Sequence, residues 1–127
     1  TVQRRVSAVH ADVFDGVPPD KYDVIVSNPP YVSAVEVAEL PDEYRREPKL
    51  GLLAGDDGLL VVRKILSGAE HYLQPHGILI VEVGDTESTL GLAYPNVPFT
   101  WLEFERGGGG VFVLSAEQLA DCRDELR

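Results

Sequence analysis

Two apolar, mostly β-branched runs enclose a stretch of helical periodicity, and this arrangement limits the chain to few folds. The runs are Val24-Ile25-Val26 and Ile78-Leu79-Ile80-Val81-Glu82-Val83. Short uninterrupted apolar runs fit strands buried on both faces, as in a parallel sheet. Between them Leu59, Val62, Ile65, Leu66, Ala69, Tyr72 and Leu73 recur at i, i+3, i+4 spacing. That spacing predicts a helix capped by Asp56 or Asp57 and running to about Gln74, ended by Pro75-His76-Gly77. Strand, helix, strand implies a right-handed crossover between parallel neighbours.

The remaining segments extend this α/β pattern. Val6–Val9 reads as a strand leading into a loop at His10-Ala11-Asp12. Gly84-Asp85 turns into a short helix over Thr86–Ala93. Phe99–Glu105 and Val111–Leu114 flank the glycines Gly107–Gly110, which predicts an antiparallel hairpin at the end of the sheet. Ser115 and Gln118 form a capping-box pattern for a last helix to about Leu126. Residues 32–55 show no periodicity, and a loop that long is usually functional or mobile.

With 11 basic against 21 acidic residues in 127, the formal net charge is −10. Such a chain repels polyanions, so direct nucleic-acid binding is not expected, and a basic partner would be steered in. No apolar run approaches a membrane span and no signal segment opens the sequence. The length suits one domain of an α/β protein in the cytoplasm. Thr1 fits either trimming of an initiator Met or a chain that begins inside a longer protein. His10 and Asp12 alone do not make a metal site, because no further ligands accompany them. His71, His76, Cys122 and Trp101 read as structural. Glu47-Pro48 could line a pocket or simply shape the long loop.

In open sheets of this kind ligands lie beyond the carboxyl ends of the strands, which singles out Asp12 and Asn28–Tyr31. Asn28-Pro29-Pro30-Tyr31 directly follows a buried strand. Its prolines fix φ and remove N–H donors, leaving a stiff backbone rich in acceptors. With the Asn28 side-chain carbonyl it can satisfy the two donors of a planar –NH2 group, while Tyr31 offers a flat face. Acceptors held in place also stabilise positive charge as the nitrogen attacks an electrophile. Neither a metal nor a strong base is needed.

The stretch Tyr22–Tyr31 resembles motif IV of class I methyltransferases that use S-adenosylmethionine and act on amino or amide nitrogens. Leu40-Pro41-Asp42-Glu43-Tyr44-Arg45-Arg46-Glu47-Pro48-Lys49-Leu50-Gly51-Leu52 and Ala54-Gly55-Asp56-Asp57-Gly58-Leu59 are similar to the bacterial protein-(glutamine-N5) methyltransferases. Leu-Pro-x-Glu-Tyr-Arg and Tyr94–Phe104 look more like the branch acting on the third large-subunit ribosomal protein than the release-factor branch. The resemblance implies that Asn28, Pro29, Pro30 and Tyr31 hold a glutamine amide. It implies that Asp12, Val13, Phe14 and Asn28 contact the methyl donor. It also implies a basic ribosomal-protein substrate. A release-factor glutamine methyltransferase, a catalytically silent fragment and, more remotely, a DNA adenine-N6 methyltransferase are the alternatives.

The family's Gly-rich cofactor loop, its acidic ribose residue and its N-terminal substrate domain have no counterpart here. Gly107–Gly110 lies between strands and does not open a helix, unlike such cradles. Residues 1–127 thus resemble the carboxyl-terminal part of one catalytic domain, inactive by itself. In the family's sheet order, 3-2-1-4-5-7-6, residues 6–9 correspond to strand 3 and 23–27 to strand 4. Without strands 1 and 2, residues 1–12 should be displaced, re-paired or paired with another chain. The strand-4 edge should then lie open to self-association.

Overall fold

The computed structural model describes residues 6–29, 59–105 and 107–127. Among these, strand β1 (Tyr22–Ser27) precedes helix α1 (Leu60–Gly68), a 3-10 turn (Ala69–Tyr72) and strand β2 (Leu73–Glu82). A second 3-10 turn (Gly84–Thr86) leads into α2 (Glu87–Ala93). Strands β3 (Thr100–Trp101) and β4 (Val111–Ser115) follow, then α3 (Ala116–Asp121) and α4 (Arg123–Leu126). The strands form one mixed four-stranded sheet in the order β1-β2-β4-β3. β1 and β2 are parallel, joined through α1, and the other two pairings are antiparallel.

Register separates the sheet into two unlike faces. Ile25 pairs Leu79, Leu79 pairs Leu114, and Val81 pairs Phe112. Leu79, Val81, Phe112 and Leu114 on that face are at most 1% exposed. They join Val62, Ile65 and Leu66 of α1 and Leu119 of α3 in a single core. Each such side chain contributes about 1.5–3 kcal/mol through its removal from water. The alternate residues Val24, Val26, Ile78, Ile80, Val111 and Val113 face the other way, and none of them is buried. Val24 is 49% and Val26 71% exposed. Among the described residues this apolar face has no helical layer comparable to the first.

Several sequence expectations need correction. Val6–Val9 is no strand: it is exposed and has no regular structure, and the described sheet ends at β1. A strand needs a neighbour to satisfy its backbone groups, and none is described beside it. The helix ends at Gly68, and β2 begins at Leu73, ahead of Ile78. Tyr22 pairs Leu73 but Val24 pairs Ile78, so Gln74–Gly77 bulge out of the ladder. Pro75 falls inside this bulge, where its missing N–H breaks no ladder bond. His76 Nε2 lies 2.7 Å from Asp23 Oδ1, bracing the bulge against β1. The hairpin forms, but its first strand shortens to Thr100–Trp101, extended by a bond from the Leu102 N–H to the Val111 carbonyl.

The capping box forms in full. The Gln118 N–H donates to Ser115 Oγ at 3.1 Å, and the Ser115 N–H donates to Gln118 Oε1 at 3.0 Å. The last helix breaks at Cys122 into α3 and α4. Burial, reinforced by Glu125 and Asp121, pushes the Cys122 thiol up, which keeps it protonated and unreactive. Phe99, Trp101 and Phe112 pack edge-on or tilted, with ring centres 4.8–5.6 Å apart, so Trp101 is structural. No helix among the described residues is long and apolar enough to cross a membrane.

Candidate active site

The carboxyl end of β1 delivers Ser27 to Asn28, which is exposed, and then to Pro29, which is buried. Pro30, Tyr31, Glu47, Pro48 and the caps Asp56 and Asp57 lie outside the described residues. Opposite β1 stands a tight turn. The Asp12 N–H donates to the Asp15 carbonyl and the Asp15 N–H to the Asp12 carbonyl, both at 2.9 Å. Val13 and Phe14 sit at its tip, and Val13 has φ +57°.

These two features enclose a cleft of about 300 Å3 lined by Val13, Phe14, Ile25, Val26, Ser27, Pro29, Val61 and Ile65. Val13, Phe14 and Pro29, far apart in sequence, therefore meet on one surface. Asn28 lies between two of the lining residues. Asp12 is turned to the other side of the tip, in a shallow pocket with Asp15, Lys64, Ser67 and Gly68. Its carboxylate is 4.0 Å from Lys64 Nζ, an exposed pair that salt would screen.

The cleft wall is mainly hydrocarbon, with Ser27 as its polar residue. Such a surface suits the flat face of a heterocycle better than an anion. The contribution of Val61 and Ile65 was not legible as part of a site, because their spacing is that of any buried helix stripe. Ile25 likewise reads as core. Among the described residues no group of three or more His, Cys, Asp or Glu side chains could hold a metal.

At the same end of the sheet, beyond β2, Gly84, Asp85, Glu87, Ser88, Gly109 and Gly110 line a second hollow of about 350 Å3. Asp85 and Glu87 are exposed there. The carboxyl ends of both parallel strands therefore carry a recess, one apolar and one acidic.

Several known proteins are similar to this chain over most of its length. Ribosomal protein uL3 glutamine methyltransferase from Neisseria gonorrhoeae is 49% identical over 118 residues, covering 93% of this chain. The protein of the same name from Francisella tularensis is 45% identical over 123 residues, covering 97% of this chain. That from Neisseria meningitidis serogroup B is 49% identical over 118 residues. The chain is a homologue of the uL3 glutamine methyltransferases. It spans 39% of the length of these relatives. No family model matches it.

Proposed function

We propose that this chain is the carboxyl-terminal part of the catalytic domain of an enzyme that methylates a glutamine side chain of ribosomal protein uL3. The observation that carries the reading is the cleft shared by the Asp12–Asp15 turn and the Ser27-Asn28-Pro29 strand end. The names of the relatives supply the reaction. They favour uL3 over a release factor, and the −10 charge disfavours a DNA substrate. In the finer fold reading, β1, β2, β4 and β3 are strands 4, 5, 7 and 6 of a class I methyltransferase sheet. The bare face and open edge of β1 are then where the rest of the domain packs, or where a second copy pairs in its absence.

S-adenosylmethionine supplies an electrophilic methyl group. Val13 and Phe14 would hold its adenine side in the apolar cleft, with Asp12 beside them. Asn28 would face the reacting end, its side-chain carbonyl accepting an N–H of the glutamine amide. Pro29 and Pro30 would keep the strand end stiff, and Tyr31 would flank the amide plane. Held in this way, the amide nitrogen presents its free face to the methyl carbon. Transfer would form the new N–C bond as the donor's S–C bond breaks, and the nitrogen would give up one proton to solvent. The acidic recess around Asp85 and Glu87 would attract a basic ribosomal protein. A substrate of that kind places the reaction in the cytoplasm.

Radioactive methyl transfer tests this reading. The full-length enzyme carrying this stretch should label uL3 and leave release factor unlabelled; the reverse pattern would sink it. A second reading, that these residues alone are silent, rests on the absence of a Gly-rich cofactor loop from the sequence. Calorimetry on the 127-residue chain should then show no heat with S-adenosylmethionine, and micromolar binding would refute silence.

A further inference from the structure

The turn that forms one wall of the cleft is strained. Val13 at φ +57° lies in the left-handed region, where a β-branched residue is an outlier. Such a conformation persists only where its surroundings over-determine it. Part of the restraint is local: the Val17 N–H donates to the Phe14 carbonyl at 3.0 Å. The remainder comes from the segment joining α1 to β2, far away in sequence.

Tyr72 lies in the 3-10 turn between those elements. Its ring stacks on Phe14 with centroids 4.6 Å apart and planes at 10°. Its hydroxyl donates to the Phe14 carbonyl at 3.4 Å, so that oxygen is held from two sides. Gly68 supplies the space. A Cβ there would stand 2.8 Å from Phe14 Cδ2, closer than real Cβ atoms come, and a tight 3.2 Å from Cε2. Neither Tyr72 nor Gly68 lines the cleft.

We propose that Tyr72 and Gly68 are positioning residues for the methyl-donor side of the cleft. Tyr72 clamps Phe14 from behind, Gly68 lets the ring seat, and together they hold Val13 against the opposite wall formed by Ile25 and Val61. The proposal rests on the reading of the cleft given above, and it assigns a task to residues outside the Asn-Pro-Pro loop. A wall displaced by about an ångström weakens binding on that side, while the glutamine side is untouched.

The test uses Tyr72→Leu, Gly68→Ala and Tyr72→Phe. In the 127-residue chain, amide hydrogen exchange at Asp15 and Val17 should quicken at least tenfold in Tyr72→Leu and Gly68→Ala. Amides of β2 and β4 should keep their protection, which shows that the fold survives. In the full-length enzyme, KM for S-adenosylmethionine should rise at least tenfold, with KM for the ribosomal protein changed less than threefold. Tyr72→Phe, which keeps the stacked ring, should restore both readouts to within threefold. Unchanged exchange at Asp15 and Val17 in both disruptive variants overturns the proposal, as does an equal rise in the two KM values. An unsubstituted enzyme that methylates nothing overturns the underlying function reading, and the proposal with it.

Discussion

Arg123, at the start of α4, grips Glu70 in the turn after α1 through both carboxylate oxygens, its Nε lying 2.8 Å from each. The contact ties the last helix to the crossover. Glu70 is mostly shielded, with its side chain 19% exposed. The bond from Arg123 holds the Glu70 carboxyl below its ordinary value near 4.5, outweighing the opposing effect of burial. A folded-state pKa lowered in this way adds stability that is fully present above about pH 4.5 and is lost as pH falls through the folded value. Arg123→Ala should therefore lower Tm by a few degrees at pH 7. It should have no further effect at a pH low enough to protonate Glu70 in the folded chain. Thermal melts of both proteins at the two pH values check this; an equal gap at both would contradict it.

Among the described glycines, Gly110 leaves the least room for a side chain. Its φ is +69°, and a Cβ there would lie 2.6 Å from both Cα and N of Gly84. The Gly110 carbonyl also accepts from Val83 and Gly84 N–H at 2.6 and 3.2 Å. Neither backbone can retreat without breaking these bonds. Gly110→Ala should cost about 3 kcal/mol or more in urea unfolding. Gly109→Ala, with nothing within 4 Å, should stay within about 0.5 kcal/mol. Equal costs at the two positions would show that the close approach does not matter.

What was legible in the sequence divides along physical lines. β1, β4, the antiparallel hairpin and the Ser115–Gln118 capping box each depend on a local pattern, and each appears. Val6–Val9 carries an equally good strand pattern, but a strand exists only with a partner. The start of β2 was obscured because Pro75 normally stops a ladder, whereas here a bulge takes it out of the pairing. At the site, Pro29 could be picked out from its position after a presumed strand, Val13 and Phe14 only through the family resemblance, and the three share a cleft. Tyr72 and Gly68 could not. Their roles depend on a ring stacking across 58 residues of sequence, and to periodicity they are only the tail of a helix.

The two sheet faces should respond differently to substitution. Leu79 and Leu114 pair on the covered face, and replacing either by Ala removes packed hydrocarbon and leaves a cavity. Each change should cost about 2–5 kcal/mol. Val24 lies on the opposite face and on the edge strand, where Lys is well tolerated. Val24→Lys should alter the stability of the 127-residue chain by under about 1 kcal/mol. Denaturant titration compares them directly. A large loss from Val24→Lys would mean that this face is packed in the isolated chain.

Asn28 provides the sharpest test of the proposed chemistry. It is exposed at the carboxyl end of β1 and has no hydrogen bond among the described contacts, so its removal should leave the fold intact. Its proposed task is to accept from the glutamine amide as positive charge grows on nitrogen. An acceptor of that sort acts more strongly in the transition state than in the ground state, so its loss should appear in kcat. Removing one preorganised hydrogen-bonding group costs about 10²–10³ in kcat where such groups have been deleted. Asn28→Ala in the full-length enzyme should show a loss of that order. Its Tm should match that of the unsubstituted protein, and KM for S-adenosylmethionine should move less than threefold. Steady-state kinetics with uL3 decide the matter: if kcat stays within tenfold, Asn28 does not hold the amide.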